Sequence, residues 1–201
     1  YAFWPDSADE QARTNLRNLL HTLRRGLPDA DNFLVLDTHT VQWRTASPYT
    51  LDAASFQEAL AAAKLAETAD QQQAQLETAV SLYKGPLLPG NYDDWLIPIR
   101  EAMQQSYQEA LAQLAQLLAE KGSYQTAVHY ARLLQREDPL SETAVMLLMQ
   151  LYAQIGDQTA VRRAYLAYTT VLREELDAEP GLDLQTAYAT AIQPAADPEN
   201  E

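Results

Sequence analysis

The sequence predicts a mainly α-helical protein with one β-hairpin near its start. Three observations predict this. From Leu51 to Ile192, apolar residues recur at helical spacing, interrupted by Gly, Pro and polar clusters. Gly122 and Gly156, 34 residues apart, sit in two segments of similar pattern. Before Leu51, one amphipathic segment is followed by two short β-prone runs.

Taken in order, "WPDSADEQ" reads as a helix start. Pro5 breaks what precedes it, and Ser7 with Glu10 forms a capping-box pattern. The helix is expected to run to about Gly26, where "GLPDADN" stops it. In "FLVLDTHTVQWR", Phe33–Leu36 and Val41–Arg44 flank the polar "DTHT" and read as a β-hairpin. "TASPYT" is a linker. Helices follow in "LDAASFQEALAAAKLAET", with Phe56, Leu60 and Ala63 on one face, and in "DQQQAQLETAVSLYKG", with Leu76, Val80 and Tyr83. "PLLPGNYDDW" is a non-helical crossing. A long helix comes next, with Pro98 in its first turn. Asp93 and Asp94 read as its cap, complementing its positive end.

"EKGSYQTAVHYARLLQREDP" then places Gly122, Tyr124, Ala127 and Pro139 at the small and aromatic positions of a tetratricopeptide repeat. Gly156 falls one repeat period later, with Tyr152 and Tyr165 on aromatic positions and Val161 where Ala is expected. Each repeat is a helical hairpin that buries its apolar face on the next. "LREELDAEPGLDLQTAYATAI" adds a helix end, a turn and a last short helix, and "QPAADPENE" reads as a disordered tail or linker. The expected organisation is therefore residues 1–46, residues 47–192 as helical repeats, and the tail 193–201.

Composition narrows the function. Cysteine is absent, which excludes disulfides and thiolate metal sites and suits a reducing cytosol. No apolar run is long enough to span a membrane. No HExxH, GxSxG or Gly-rich phosphate loop is present, so an enzyme is not expected, nor any cofactor or metal. His129, inside a repeat helix, reads as a packing or surface residue. The net charge of −14 is unevenly distributed. Residues 1–46 hold five Lys/Arg against six Asp/Glu, whereas residues 47–201 hold nine against twenty-two. The acidic part repels nucleic acid, so any such contact belongs to the first segment.

That first segment contains "QARTNLRNLLHTLRRGL", with four Arg, one His and no acid. On a helical wheel, Leu16, Leu19, Leu20, Leu23 and Leu27 fall in one arc of about 100°. Gln11, Thr14, Asn18, His21, Thr22 and Arg25 centre on the opposite side, and Arg13, Arg17 and Arg24 line one border. Asn, Gln and Arg read base edges, while Arg and Lys neutralise phosphates. Thr14, Asn18, Thr22 and Arg25 are expected base-edge contacts. Arg13, Arg17, His21 and Arg24 are expected phosphate contacts. Helix followed by hairpin is the order of a winged helix, and it makes Thr38, His39, Thr40 and Arg44 wing contacts. The structural alternative is an ordinary solvated helix face beside a plain ribbon.

"FWPDSADEQARTNLRNLLHTLRRGL" followed by "FLVLDTHTVQWR" resembles the latter half of the response-regulator-type winged helix in the Streptomyces antibiotic regulatory protein family. The remainder resembles that family's bacterial transcriptional activation domain. The more specific motifs are "YDDW", with Arg100 five residues after the Trp, and "REELDAEP". The resemblance implies a cytoplasmic, nucleoid-associated transcription activator. It would bind promoter DNA, as direct repeats, and contact RNA polymerase. In that family a short sheet and two helices precede the recognition helix, and this chain starts at the end of the second. Two other readings remain: a repeat-type protein-interaction module without DNA binding, and a tail after Ile192 that leads into a sensor or nucleotide-hydrolysing regulatory domain. The many tyrosines, Tyr83, Tyr92, Tyr107, Tyr124, Tyr130, Tyr152, Tyr165 and Tyr168, read as interhelical packing or as the lining of a peptide groove.

Overall fold

The computed structural model describes Trp4, residues 7–36 and residues 41–192. The chain divides into two compact units, residues 1–50 and residues 51–201.

The first unit opens with α1, Asp9–Gly26. The expected capping box does not form. Ala8 is the N-cap and no side chain caps the helix. Acids at Asp9 and Glu10 and bases at Arg24 and Arg25 complement the helix dipole instead. Leu27 closes the helix, and Asp29, in the left-handed region at φ 52°, redirects the chain. A single helical turn, α2 (Ala30–Phe33), then absorbs Phe33, which the β-prone pattern assigns to the first strand. Strands β1 (Leu34–Leu36) and β2 (Val41–Trp43) pair antiparallel, with Leu34 opposite Trp43 and Leu36 opposite Val41. Arg44 lies one step past β2, where its backbone N–H donates to Phe33 O at 2.7 Å. Phe33 stacks on Trp43, and Tyr49 meets Trp43 edge-on.

The second unit holds seven α-helices among the described residues: α3 (Asp52–Lys64), α4 (Ala69–Leu82), α5 (Ile97–Glu120), α6 (Tyr124–Glu137), α7 (Glu142–Ile155), α8 (Gln158–Leu176) and α9 (Leu182–Ala191). Successive helices pack as neighbours, and α9 lies on both α7 and α8. Thr68, Ser141 and Asp157 cap α4, α7 and α8 by accepting from backbone N–H groups. Asp93 and Asp94 do not cap α5. They open a short 3₁₀ turn, Asp94–Leu96, that runs into it, and Pro98 lies in the first turn of α5.

The repeat expected from Gly122 and Gly156 is present as repeated geometry. Both glycines have left-handed backbones, φ 73° and 81°. Gly122 N–H donates to Ala119 O and Ser123 N–H to Leu118 O; Gly156 N–H donates to Ala153 O and Asp157 N–H to Tyr152 O. This is the same Schellman closure twice, one repeat apart. It turns α5 into α6 and α7 into α8. Ala127 and Val161, at equivalent positions, are both fully buried. The unit's apolar interior runs from Phe56, Tyr107 and Leu111 to Leu114, Leu148, Met149, Val161 and Leu184.

Candidate nucleic-acid interface

α1 buries none of its residues. The leucine face is only partly covered: Leu16, Leu19 and Leu23 remain 37%, 48% and 41% exposed. The described elements of this unit are too few to bury a helix of 18 residues.

The opposite face is open along its length. Thr14, Asn18, His21, Thr22 and Arg25 are all exposed. Thr14 and Thr22 each donate to the carbonyl four residues back, Glu10 O and Asn18 O, both at 3.0 Å. The hydroxyl proton is spent locally, so each oxygen is left as an acceptor. Gln11 is engaged with Asn15 at 2.9 Å. Arg24, on the cationic border, is drawn to Asp31 at 3.0 Å, an exposed pair. Among the described residues no carboxylate pairs with Arg13, Arg17 or Arg25. From Arg13 to Arg25 the helix rises about 18 Å, and the major groove is wide enough for such a helix.

Of the expected wing contacts, Thr38, His39 and Thr40 lie outside the described residues. Arg44, expected on the second strand, is exposed and lies one step past β2 at the base of the hairpin. The expected contacts on α1 are thus all exposed on the helix.

The tyrosines of the helical unit mostly pack. Tyr83 stacks on Tyr107 and Tyr165 on Tyr188, with ring centroids 4.2 and 4.0 Å apart. Tyr168 is buried, and its hydroxyl donates to Leu140 O at 3.3 Å. Tyr92 is exposed. A cavity of about 390 Å³ between α3, α5 and the crossing is lined by Phe56, Tyr83, Met103 and Pro86. His129 is exposed, its ring edge against Tyr130.

Periodicity and motif spacing assign Arg100 no physical role. It reaches back from α5 and donates to three carbonyls of the crossing: Leu87 O at 2.7 Å, Leu88 O at 2.6 Å and Asn91 O at 2.8 Å. A lone Arg near the start of a long helix, after a Pro/Gly-rich crossing, is the signal that could have found it.

No helix of the described residues is long and apolar enough to cross a membrane. A comparison with curated protein sequences finds no significant relative. Among solved structures, Mycobacterium tuberculosis EmbR in complex with a low-affinity phosphopeptide is similar, with a TM-score of 0.68 over 97% of this chain at 21% identity. The likeness is one of fold, and this chain spans 54% of that one. It supports a helical solenoid-like fold with a winged-helix-like start. Residues 51–192 match the model of the bacterial transcriptional activator domain. Together these findings bear out the resemblance to activators of the Streptomyces antibiotic regulatory protein type. The helical unit is the matched region, and the chain belongs to the bacterial transcriptional activator domain family.

Proposed function

We propose that this transcriptional activator binds promoter DNA through the exposed face of α1, with the β1–β2 hairpin as its wing, and contacts RNA polymerase through the helical unit. One observation carries the DNA reading. In a chain of net charge −14, the polar face of α1 presents Arg13, Arg17 and Arg25 with no acidic partner among the described residues, beside Thr14, Asn18, His21 and Thr22. Arg25 and Asn18 suit base edges, with Thr14 and Thr22 accepting from donor groups on the bases. Arg13 and Arg17 suit phosphates, while Arg24 must first leave Asp31. The acidic helical unit disfavours any other DNA-facing surface. Binding to direct repeats by two protomers is part of the same proposal.

The test is fluorescence anisotropy with duplex DNA from the region upstream of the protein's own gene, at two salt concentrations. Removing one phosphate-neutralising side chain should flatten the salt slope by about one unit. Arg13→Gln should weaken binding uniformly across sequences. Arg25→Ala should cost about 1–3 kcal/mol on the preferred sequence and relax specificity. A shallow salt slope, or unchanged binding by Arg25→Ala, sinks the assignment and favours an interaction module that does not touch DNA.

A further inference from the structure

The helical unit is strongly acidic, yet one of its grooves is lined by two arginines and a single carboxylate among the described residues. On α6, Gln125, His129 and Arg132 recur at positions i, i+4 and i+7 and so share one side of the helix. Two adjoining cavities, of about 200 and 240 Å³, open along this side. Arg132 and Tyr152 line both; Gln125 and His129 extend the first, and Gln135 and Arg163 extend the second. The depth comes from α8, where Ala160, Ala164 and Ala167 present small side chains at i, i+4 and i+7.

The guanidinium of Arg132 is held before any ligand arrives. Its Nε donates to the Tyr152 hydroxyl at 2.9 Å, and its carbon lies 5.7 Å from the Tyr152 ring centroid. That uses one of the five N–H donors of an arginine. No carboxylate among the described residues pairs with Arg132 or Arg163. Asp157 is the carboxylate lining the groove, and its Oδ1 already accepts the Ala160 N–H at 2.9 Å as the cap of α8.

We propose that this groove binds a short, extended acidic segment of a partner protein, with its carboxylates on Arg132 and Arg163. Arginine forks match carboxylates bidentately. Each cavity is smaller than an ordinary small-molecule site of about 300–1,000 Å³, and the two form an elongated track. From Gln125 to Gln135 the helix rises about 15 Å, the reach of about four or five extended residues. A long polyanion such as DNA meets the acidic surface around the groove; a short segment with a few carboxylates does not.

The test uses the full chain and a fluorescein-labelled eight-residue peptide of Glu and Leu, followed by anisotropy. Saturable, salt-sensitive binding is expected. R132Q/R163Q should weaken it at least about tenfold. Tyr152→Phe should weaken it less, because it frees the guanidinium without removing it, and circular dichroism should be unchanged in both variants. R13Q/R25Q, in the first unit, should leave binding intact. Absence of saturable binding overturns the proposal, as does loss through R13Q/R25Q with R132Q/R163Q unaffected. Displacement by inorganic phosphate as readily as by unlabelled peptide also overturns it, because the groove is then a pocket for any small anion.

Discussion

Replacing Arg100 with Ala should loosen the crossing between α4 and α5 and destabilise the helical unit by about 2–3 kcal/mol. The figure follows from the geometry. Arg100 donates three hydrogen bonds, at 2.6–2.8 Å, to carbonyls spread over Leu87–Asn91. A hydrogen bond from a charged donor contributes about 1.5–3 kcal/mol, so three taken separately would exceed the expected loss. Two effects reduce it. The crossing is largely exposed, so water replaces the guanidinium at the freed carbonyls. Leu88 is held at φ 49°, and a loosened loop releases roughly 1 kcal/mol of backbone strain. For a unit of this size each kcal/mol lowers Tm by about 2–4 °C, so thermal melts followed by circular dichroism should shift down by about 4–12 °C. Arg100→Lys should recover only part, because an ammonium does not reproduce the planar fork. Proteolysis within Leu87–Asn91 should accelerate in the Ala variant. A melting temperature within about 1 °C of the parent, with unchanged proteolysis, refutes the clamp.

Other perturbations test the repeat and its interior. Gly156→Ala should cost about 1–2 kcal/mol from its positive φ alone, since an added Cβ meets nothing within 4 Å. Gly122→Ala should cost the same, and the pair should add in a denaturant titration. Ala127→Leu, at a fully buried position, should destabilise by about 1–3 kcal/mol through overpacking, and a neutral result in the same titration would contradict the buried placement. Burial, then neighbouring carboxylates, holds four phenols above the ordinary value of 10.0: Glu137 acts on Tyr83 and Tyr107, Glu77 on Tyr130, and Glu142 with Asp138 on Tyr168. The fold therefore favours the neutral phenols. Their contribution is full below about pH 10 and is lost as pH rises through each folded-state value. Tyrosinate absorbance should appear late for these four, and an ordinary titration of all tyrosines would contradict the packing.

Much of the helical unit is legible in the sequence because its determinants are local. Gly122 and Gly156 need left-handed backbones, and their spacing alone places two hairpins. Pro98 can sit only near a helix start. The leucine arc of α1 follows from periodicity alone, as do the residues on its opposite face. Local patterns mislead where a neighbour decides. Ser7 and Glu10 match a capping pattern, but the helix begins beyond Ala8. Asp93 and Asp94 precede a helix in sequence, yet the chain enters α5 through a 3₁₀ turn. Phe33 is β-prone and still joins a helical turn, because the left-handed Asp29 sets the backbone direction there.

The sequence by itself determined the periodicities, the turns and the sign of the charge on each part. Those follow from the backbone preferences and side-chain chemistry of neighbouring residues. The tertiary structure alone decided that Arg100 closes the crossing, that Arg24 turns to Asp31 while Arg25 does not, and that Arg132 meets Tyr152 over a floor of alanines from α8. These contacts join residues 7 to 35 positions apart, and no local pattern encodes which helix faces lie opposite once packing has buried the apolar ones.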